Sequence, residues 1–240
     1  NFNINGSAGK DIGKWGRLSA GLNQSLSNAP YAFTSFKTNY FERNFSFNKM
    51  SVTNVWGNVA IDKILAQVYV SNKLISNYLY FNSNLSPAQQ SEAFSVLQIG
   101  GRKEFRFGIF SLDNEIAWQQ PTGNAPVNLP SLLLRHKSSV ETYMFSEALR
   151  IALGIEARYH TPYYSDGYTP YFNQFYLQNT QKISVVPECT AFFNFKIKRF
   201  RAFILGDQLQ QLFTTNIINA PGYPAQNAMF RFGFNWVLIN

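Results

Sequence analysis

The run Phe230-Arg231-Phe232-Gly233-Phe234-Asn235-Trp236-Val237-Leu238 decides how the rest of the chain reads. Phe230, Phe232, Phe234, Trp236 and Leu238 fall on every second position, and Arg231, Gly233 and Asn235 take the other phase. Successive side chains of a strand point to opposite faces, so one face of this segment is aromatic and the other polar. One such strand suits a soluble sandwich as well as a membrane sheet. Here the pattern recurs along the chain with charges on the polar phase, which predicts an all-β, antiparallel up-and-down transmembrane β-barrel whose wet face lines a lumen.

Ala148 to His160 repeats the division most cleanly, with Leu149, Ile151, Leu153, Ile155, Ala157 and Tyr159 opposing Arg150, Gly154, Glu156, Arg158 and His160. Ile64 to Lys73 sets Ile64, Ala66, Val68 and Val70 against Gln67, Ser71 and Lys73. Glu104 to Ile109 sets Phe105, Phe107 and Ile109 against Glu104, Arg106 and Gly108. Val185 to Ile197 sets Cys189, Ala191, Phe193, Phe195 and Ile197 against Glu188, Thr190, Asn194 and Lys196. Further strands are expected near 1 to 8, 15 to 26, 31 to 42, 50 to 61, 93 to 101, 131 to 145, 200 to 213 and 227 to 239, about twelve in all. Within them Pro187 predicts a bulge or the loop-proximal end of its strand, and 200 to 213 does not divide into two faces.

The connections carry a second signal. Tight links are read at Asp62-Lys63, Gly101-Arg102-Lys103, Ser146-Glu147 and Lys198-Arg199, and long ones near 82 to 92, 119 to 130, 161 to 182 and 212 to 226. Short turns at one end and long loops at the other is the plan of outer-membrane barrels. No linker or low-complexity tract interrupts the 240 residues, which read as one barrel domain spanning 1–240.

Composition agrees. Aromatic residues make up 17% and charged residues 14% of the chain, against roughly 25% charged in soluble domains. A lipid-facing surface with aromatic girdles accounts for 23 Phe and 13 Tyr. The mean hydropathy of −0.18 argues against membrane-spanning helices but not against strands that alternate. A net charge of +8 with cations dispersed singly along strands does not form the clustered patch that tracks phosphates, so no nucleic-acid partner is expected. Cys189 is alone and excludes an intrachain disulfide; with only His136 and His160 beside it, no metal site and no cofactor are expected. The chain starts at Asn1 without Met or signal peptide, and reads as mature or as lacking N-terminal strands.

Phe175-Tyr176-Leu177-Gln178, Phe192-Phe193-Asn194-Phe195-Lys196-Ile197-Lys198-Arg199-Phe200-Arg201, Asn219-Ala220-Pro221-Gly222-Tyr223-Pro224 and Phe230 to Trp236 follow in an order and spacing that resemble the C-terminal part of the β-barrel porins of Bacteroidota outer membranes. A looser similarity runs through Asn77-Tyr78-Leu79-Tyr80-Phe81-Asn82. The resemblance implies an integral outer-membrane barrel that passes small hydrophilic solutes. Members of that family are generally longer, which implies that the chain forms the end of a larger barrel. The last residue is Asn240, where outer-membrane barrels elsewhere end on an aromatic residue.

The faces assign the candidate site. Leu149, Ile151, Leu153, Phe193, Phe195, Phe232 and Phe234 are expected to meet lipid. The lumen is expected to be lined by Arg17, Lys37, Lys73, Arg106, Arg150, Arg158, Lys196 and Arg231, with Glu104, Glu156 and Glu188 as the opposing charges. Spaced cations bias a pore mildly toward anions, unless they pair across neighbouring strands. His136-Lys137-Ser138 puts a base and a nucleophile two residues apart on one strand face, as in barrels that carry a Ser, His and Asn lipase arrangement at the lipid boundary. No supporting group can be placed for it from sequence, and the chain reads as a channel with no enzymatic activity. His160 is expected in the wet vestibule near Tyr159, Tyr163 and Tyr164. The rival reading is a non-conducting accessory barrel of a larger outer-membrane complex, whose loop Tyr163 to Tyr171 plugs the lumen or holds another outer-membrane protein.

Overall fold

The computed structural model describes every residue except 38–41, 184–185, 215–216 and 238–240, and at Lys14 only the backbone. Leu238, assigned to the apolar phase, Val185, the first residue of an expected strand, and Asn240 lie outside the described residues. Eleven strands form one antiparallel sheet in chain order. They are β1 (Phe2–Asp11), β2 (Arg17–Ser27), β3 (Met50–Ile61), β4 (Ala66–Ser76), β5 (Phe94–Phe107), β6 (Phe110–Thr122), β7 (Leu132–Met144), β8 (Leu149–His160), β9 (Glu188–Ile197), β10 (Phe200–Asp207) and β11 (Met229–Trp236). Each pairs with the next, and among the described residues no pairing joins β1 to β11.

The links alternate along the whole chain. Segments 12–16, 62–65, 108–109, 145–148 and 198–199 turn sharply at one end of the sheet, and 28–49, 77–93, 123–131, 161–187 and 208–228 are long connections at the other. Of the two tightest turns, 108–109 and 198–199, the first has Gly108 at φ 59, a left-handed conformation that suits a two-residue hairpin and costs glycine little. The long connections hold small hairpins of their own, Ser35–Lys37 with Glu42–Asn44, Tyr78–Phe81 with Pro87–Gln90, Gly167–Thr169 with Gln174–Tyr176, and Ile218–Ala220 with Tyr223–Pro224.

Burial is concentrated in this loop cap rather than in the sheet. Leu79, Phe81, Ile183, Ile217 and Ala225 are buried there with Phe94 at the loop end of β5. Phe33 meets Phe81 at 4.8 Å and Phe36 meets Phe172 at 4.6 Å between ring centroids. The Leu177 N–H donates to the Phe81 carbonyl at 2.7 Å, tying two connections together. The sheet, by contrast, leaves its apolar face uncovered: Phe232 is 84% exposed, and Phe230, Phe234, Trp236, Leu153 and Ile155 are exposed beside it. Among the described residues no helix is long and apolar enough to cross a membrane.

Several sequence expectations change. Residues 93 to 101 and 104 to 109 are not separate strands: Gly101-Arg102-Lys103 runs extended inside β5, because Arg102 is held across the sheet by Asp113 on β6. Strand β6 itself was not expected; Asp113, Asn114 and Glu115 in succession hide its alternation. Residues 31 to 42 supply no strand of the main sheet. Tyr31–Thr34 form one helical turn after Pro30, and Ser35–Lys37 belong to a side hairpin, with 38–41 outside the described residues. Pro187 precedes β9, at its loop end, and the ambiguity at 200 to 213 arises because β10 ends at Asp207 and a 3-10 turn, Leu209–Leu212, follows.

Candidate channel-lining face

Antiparallel partners directly opposite one another share a face, so the register sorts the side chains. One row runs Arg17, Ala60, Gln67, Arg102, Glu115, Arg135, Arg158, Glu188 from β2 to β9. Toward the short turns lie Glu104, Asp113, Lys137, Glu156 and Thr190, then Arg106, Ser111, Ser139, Gly154, Phe192, Leu205 and Arg231. Nearest the turns stand Tyr143, Arg150, Lys196, Arg201 and Asn235. Lys73 is in phase with Gln67 on β4 and belongs to the same face. Lys37 does not: it sits in the side hairpin of the cap, ion-paired to Glu42 at 2.8 Å, because the segment expected to carry it into the sheet is a loop. Ile151, Leu153, Phe193, Phe195, Phe232 and Phe234 share the opposite face.

Most charges of the polar face are paired. Arg102 grips Asp113 bidentately, Nε to Oδ1 at 2.8 Å and Nη2 to Oδ2 at 2.7 Å. Arg135 bridges Asp113 at 3.3 Å and Glu156 at 2.9 Å, and Arg158 donates Nε to Glu156 Oε1 at 2.8 Å. The result is a ladder of alternating sign across β5 to β8. Arg106 pairs with Glu104 at 2.6 Å, Arg150 with Glu141, Arg231 with Asp207, and Arg17 loosely with Asp11 at 3.7 Å. Pairing, within a strand for Arg106 and Arg158 and across strands for the others, therefore neutralises much of the expected cation excess. Among the described residues Lys73, Lys137, Lys196 and Arg201 make no such pair, Lys137 lying instead over the Phe192 ring at 4.7 Å. Lys196 and Arg201, with Arg150, Asn194 and Asn235, border a recess of about 430 Å³ near the short turns.

Sequence reading missed Asp113, Arg102, Arg135 and Arg201. Arg135 and Lys137 alternate with Leu134 and His136, a signal that was present; Arg102 lay in a segment read as a tight link, and Asp113 in a segment, 110 to 118, to which no element was assigned. In the cap, burial pushes the Asp166 carboxyl above its ordinary value, opposed by the Asn128 amide that donates to it at 3.3 Å. Burial first, and the charge of Asp166 second, also raise the Tyr78 and Tyr163 phenols. His160 stacks edge-on against Tyr163 at 5.4 Å at the loop end of β8.

His136 and Ser138 lie on the apolar face, not the polar one, with Asn114 opposite His136 on β6. Among the described residues no group of His, Cys, Asp or Glu is arranged to hold a metal ion.

An uncovered apolar face backed by a charged one, on antiparallel strands joined by alternately short and long links, is the pattern of sheets built like membrane barrels. The chain belongs to the family whose model is described as "Putative porin", which matches residues 1–240, the whole chain. No curated protein matches it.

Proposed function

We propose that this chain forms wall of an outer-membrane β-barrel channel for passive diffusion of small hydrophilic solutes. The observation that carries the reading is the two-faced sheet: exposed aromatic and aliphatic side chains on one side, a hydrogen-bonded ladder of charges on the other. Hydrocarbon suits the first face and water the second. A mild anion preference rests on Lys196 and Arg201, with Lys73 and Lys137, rather than on the paired arginines. Screening over about 8 to 10 Å at physiological salt keeps such a preference modest.

The test is reversal potential across a salt gradient for the full-length protein in planar bilayers. Anion preference that shrinks as salt rises, and that moves toward cations in the Lys196→Glu, Arg201→Glu double variant, is expected. Clear cation preference in the unaltered protein would overturn the assignment. The cap, with its own aromatic core, supports a second reading, a non-conducting accessory subunit. Absence of conductance together with a stable co-purifying outer-membrane partner would favour it.

A further inference from the structure

Four of the polar residues that interrupt the apolar phases of their strands are neighbours in space. Lys103, Asn114 and His136 stand directly opposite one another on β5, β6 and β7, and Ser138 follows His136 on the same face. Around them that face carries Phe105, Leu112, Ile116, Leu134, Val140 and Ile155. Polar groups on a face meant for hydrocarbon are costly, and here they make a relay. Asn114 Oδ1 lies 2.7 Å from His136 Nδ1, and His136 Nε2 lies 2.7 Å from Ser138 Oγ. With Asn114 Oδ1 accepting from Nδ1–H, the imidazole keeps Nε2 bare to accept the Ser138 hydroxyl proton. Nucleophile, base and orienting group stand in the order acyl transfer requires.

A recess of about 460 Å³ adjoins Asn114 and His136, bordered by Val68, Ile116 and Leu134, with Gly101 leaving depth and Lys103 at its margin. Lys103 is paired with Ala66, the first residue of β4 after the turn 62–65, so it lies toward the short-turn boundary, where lipid head groups sit.

We propose that Ser138, His136 and Asn114 form an acyl-transfer site for carboxylic esters of membrane phospholipids, with an acyl chain in the recess and the phosphate beside Lys103. This rests on the outward face meeting lipid, not on the pore conducting. Ser138 Oγ attacks the ester carbonyl carbon as its proton passes to His136 Nε2. The carbon–oxygen ester bond breaks, the alcohol leaves with the proton from Nε2, and the fatty acyl group stays on Ser138. Water then attacks the acyl-serine, gives a proton to Nε2, and the fatty acid departs as Ser138 Oγ regains that proton. Asn114 is a positioning residue. The β7 ladder pairs Ser138 with both Leu112 and Ile155, which occupies its main-chain N–H. A missing oxyanion donor costs about 10²- to 10³-fold, so turnover is slow and covalent capture is the sensitive readout.

The experiment treats the full-length protein in phosphatidylglycerol vesicles with an alkyl fluorophosphonate and locates the adduct by mass spectrometry. Expected is a single phosphonylated serine, Ser138, absent in Ser138→Ala, formed at least about tenfold more slowly in His136→Ala, and slowed in Asn114→Ala but restored in Asn114→Asp. Fatty acid and lysophospholipid release should follow the same order. Heat-modifiable gel migration of each variant confirms assembly. No adduct at Ser138, or an adduct forming equally fast in assembled His136→Ala, overturns the proposal. Conductance of Ser138→Ala should equal that of the unaltered protein, so a failed pore and a failed ester site are told apart.

Discussion

Leu153 and Ala152 are adjacent on β8 and point to opposite faces, so arginine at each position separates lipid from water directly. Leu153 stands between Val140 and Phe193 and is 47% exposed, with no protein layer over it. In a soluble sheet a half-exposed leucine replaced by arginine shifts stability by about 0.5 kcal/mol or less. Facing hydrocarbon near mid-membrane, the same change costs about 2 to 4 kcal/mol, or roughly 30- to 700-fold in the folding equilibrium. Ala152 lies between Glu141 and Asn194, so arginine there gains water and a carboxylate neighbour, and stability should change by under about 1 kcal/mol. Reversible urea unfolding in phospholipid vesicles, followed by tryptophan fluorescence, gives both values. A Leu153→Arg cost below that of Ala152→Arg would refute the facing assignment.

Other outcomes follow from the same geometry. Asp113→Asn removes the carboxylate held by Arg102 and Arg135; full burial would make the loss about 3 to 5 kcal/mol, but Arg102 remains half exposed, so about 2 kcal/mol is expected from the same unfolding measurement. Asp166, raised by burial, binds its proton more tightly folded than unfolded; its contribution to the cap is therefore full below the ordinary value of 3.8 and is lost as pH rises through the folded value. Near-ultraviolet circular dichroism should show the cap melting higher under acid, and Asp166→Asn should flatten that dependence. A Cβ on Gly100 would sit 2.4 Å from the Tyr69 ring, so Gly100→Ala should swing the ring away from the polar face and lower single-channel conductance, with recovery in a Tyr69→Ala background.

The two-faced strands were legible because alternation needs only a period of two, and β8, β9 and β11 keep it nearly throughout, departing at Phe192 in β9 and at the first residue of β11, Met229. Where a strand breaks phase the reading failed. Lys103 made part of β5 look like a turn, and Asn114 erased β6; both belong to the polar cluster on the outward face, so the segments hardest to read are those that meet at the relay. Pairing of charges was legible only as a possibility, because Arg135 meets Asp113 and Glu156 through registers that no local spacing encodes. The cap was harder still. Its hairpins carry loop-like composition, and its order comes from rings far apart in sequence, such as Phe33 and Phe81.

Each border of the sheet, β1 and β11, has a neighbour on one side only among the described residues, and all of β1 is exposed along its 10 residues. Every second residue there aims an N–H and a C=O away from the sheet. Water solvates such groups, whereas hydrocarbon leaves each at a cost of several kcal/mol, and a whole border sums to roughly tens of kcal/mol. The sheet with bare borders is therefore a species of the aqueous side or of an insertion machine, not of the bilayer. Each border therefore needs a strand partner, whether the other border or a further strand, before the sheet can rest in hydrocarbon, which ties pairing of the borders to entry into the membrane.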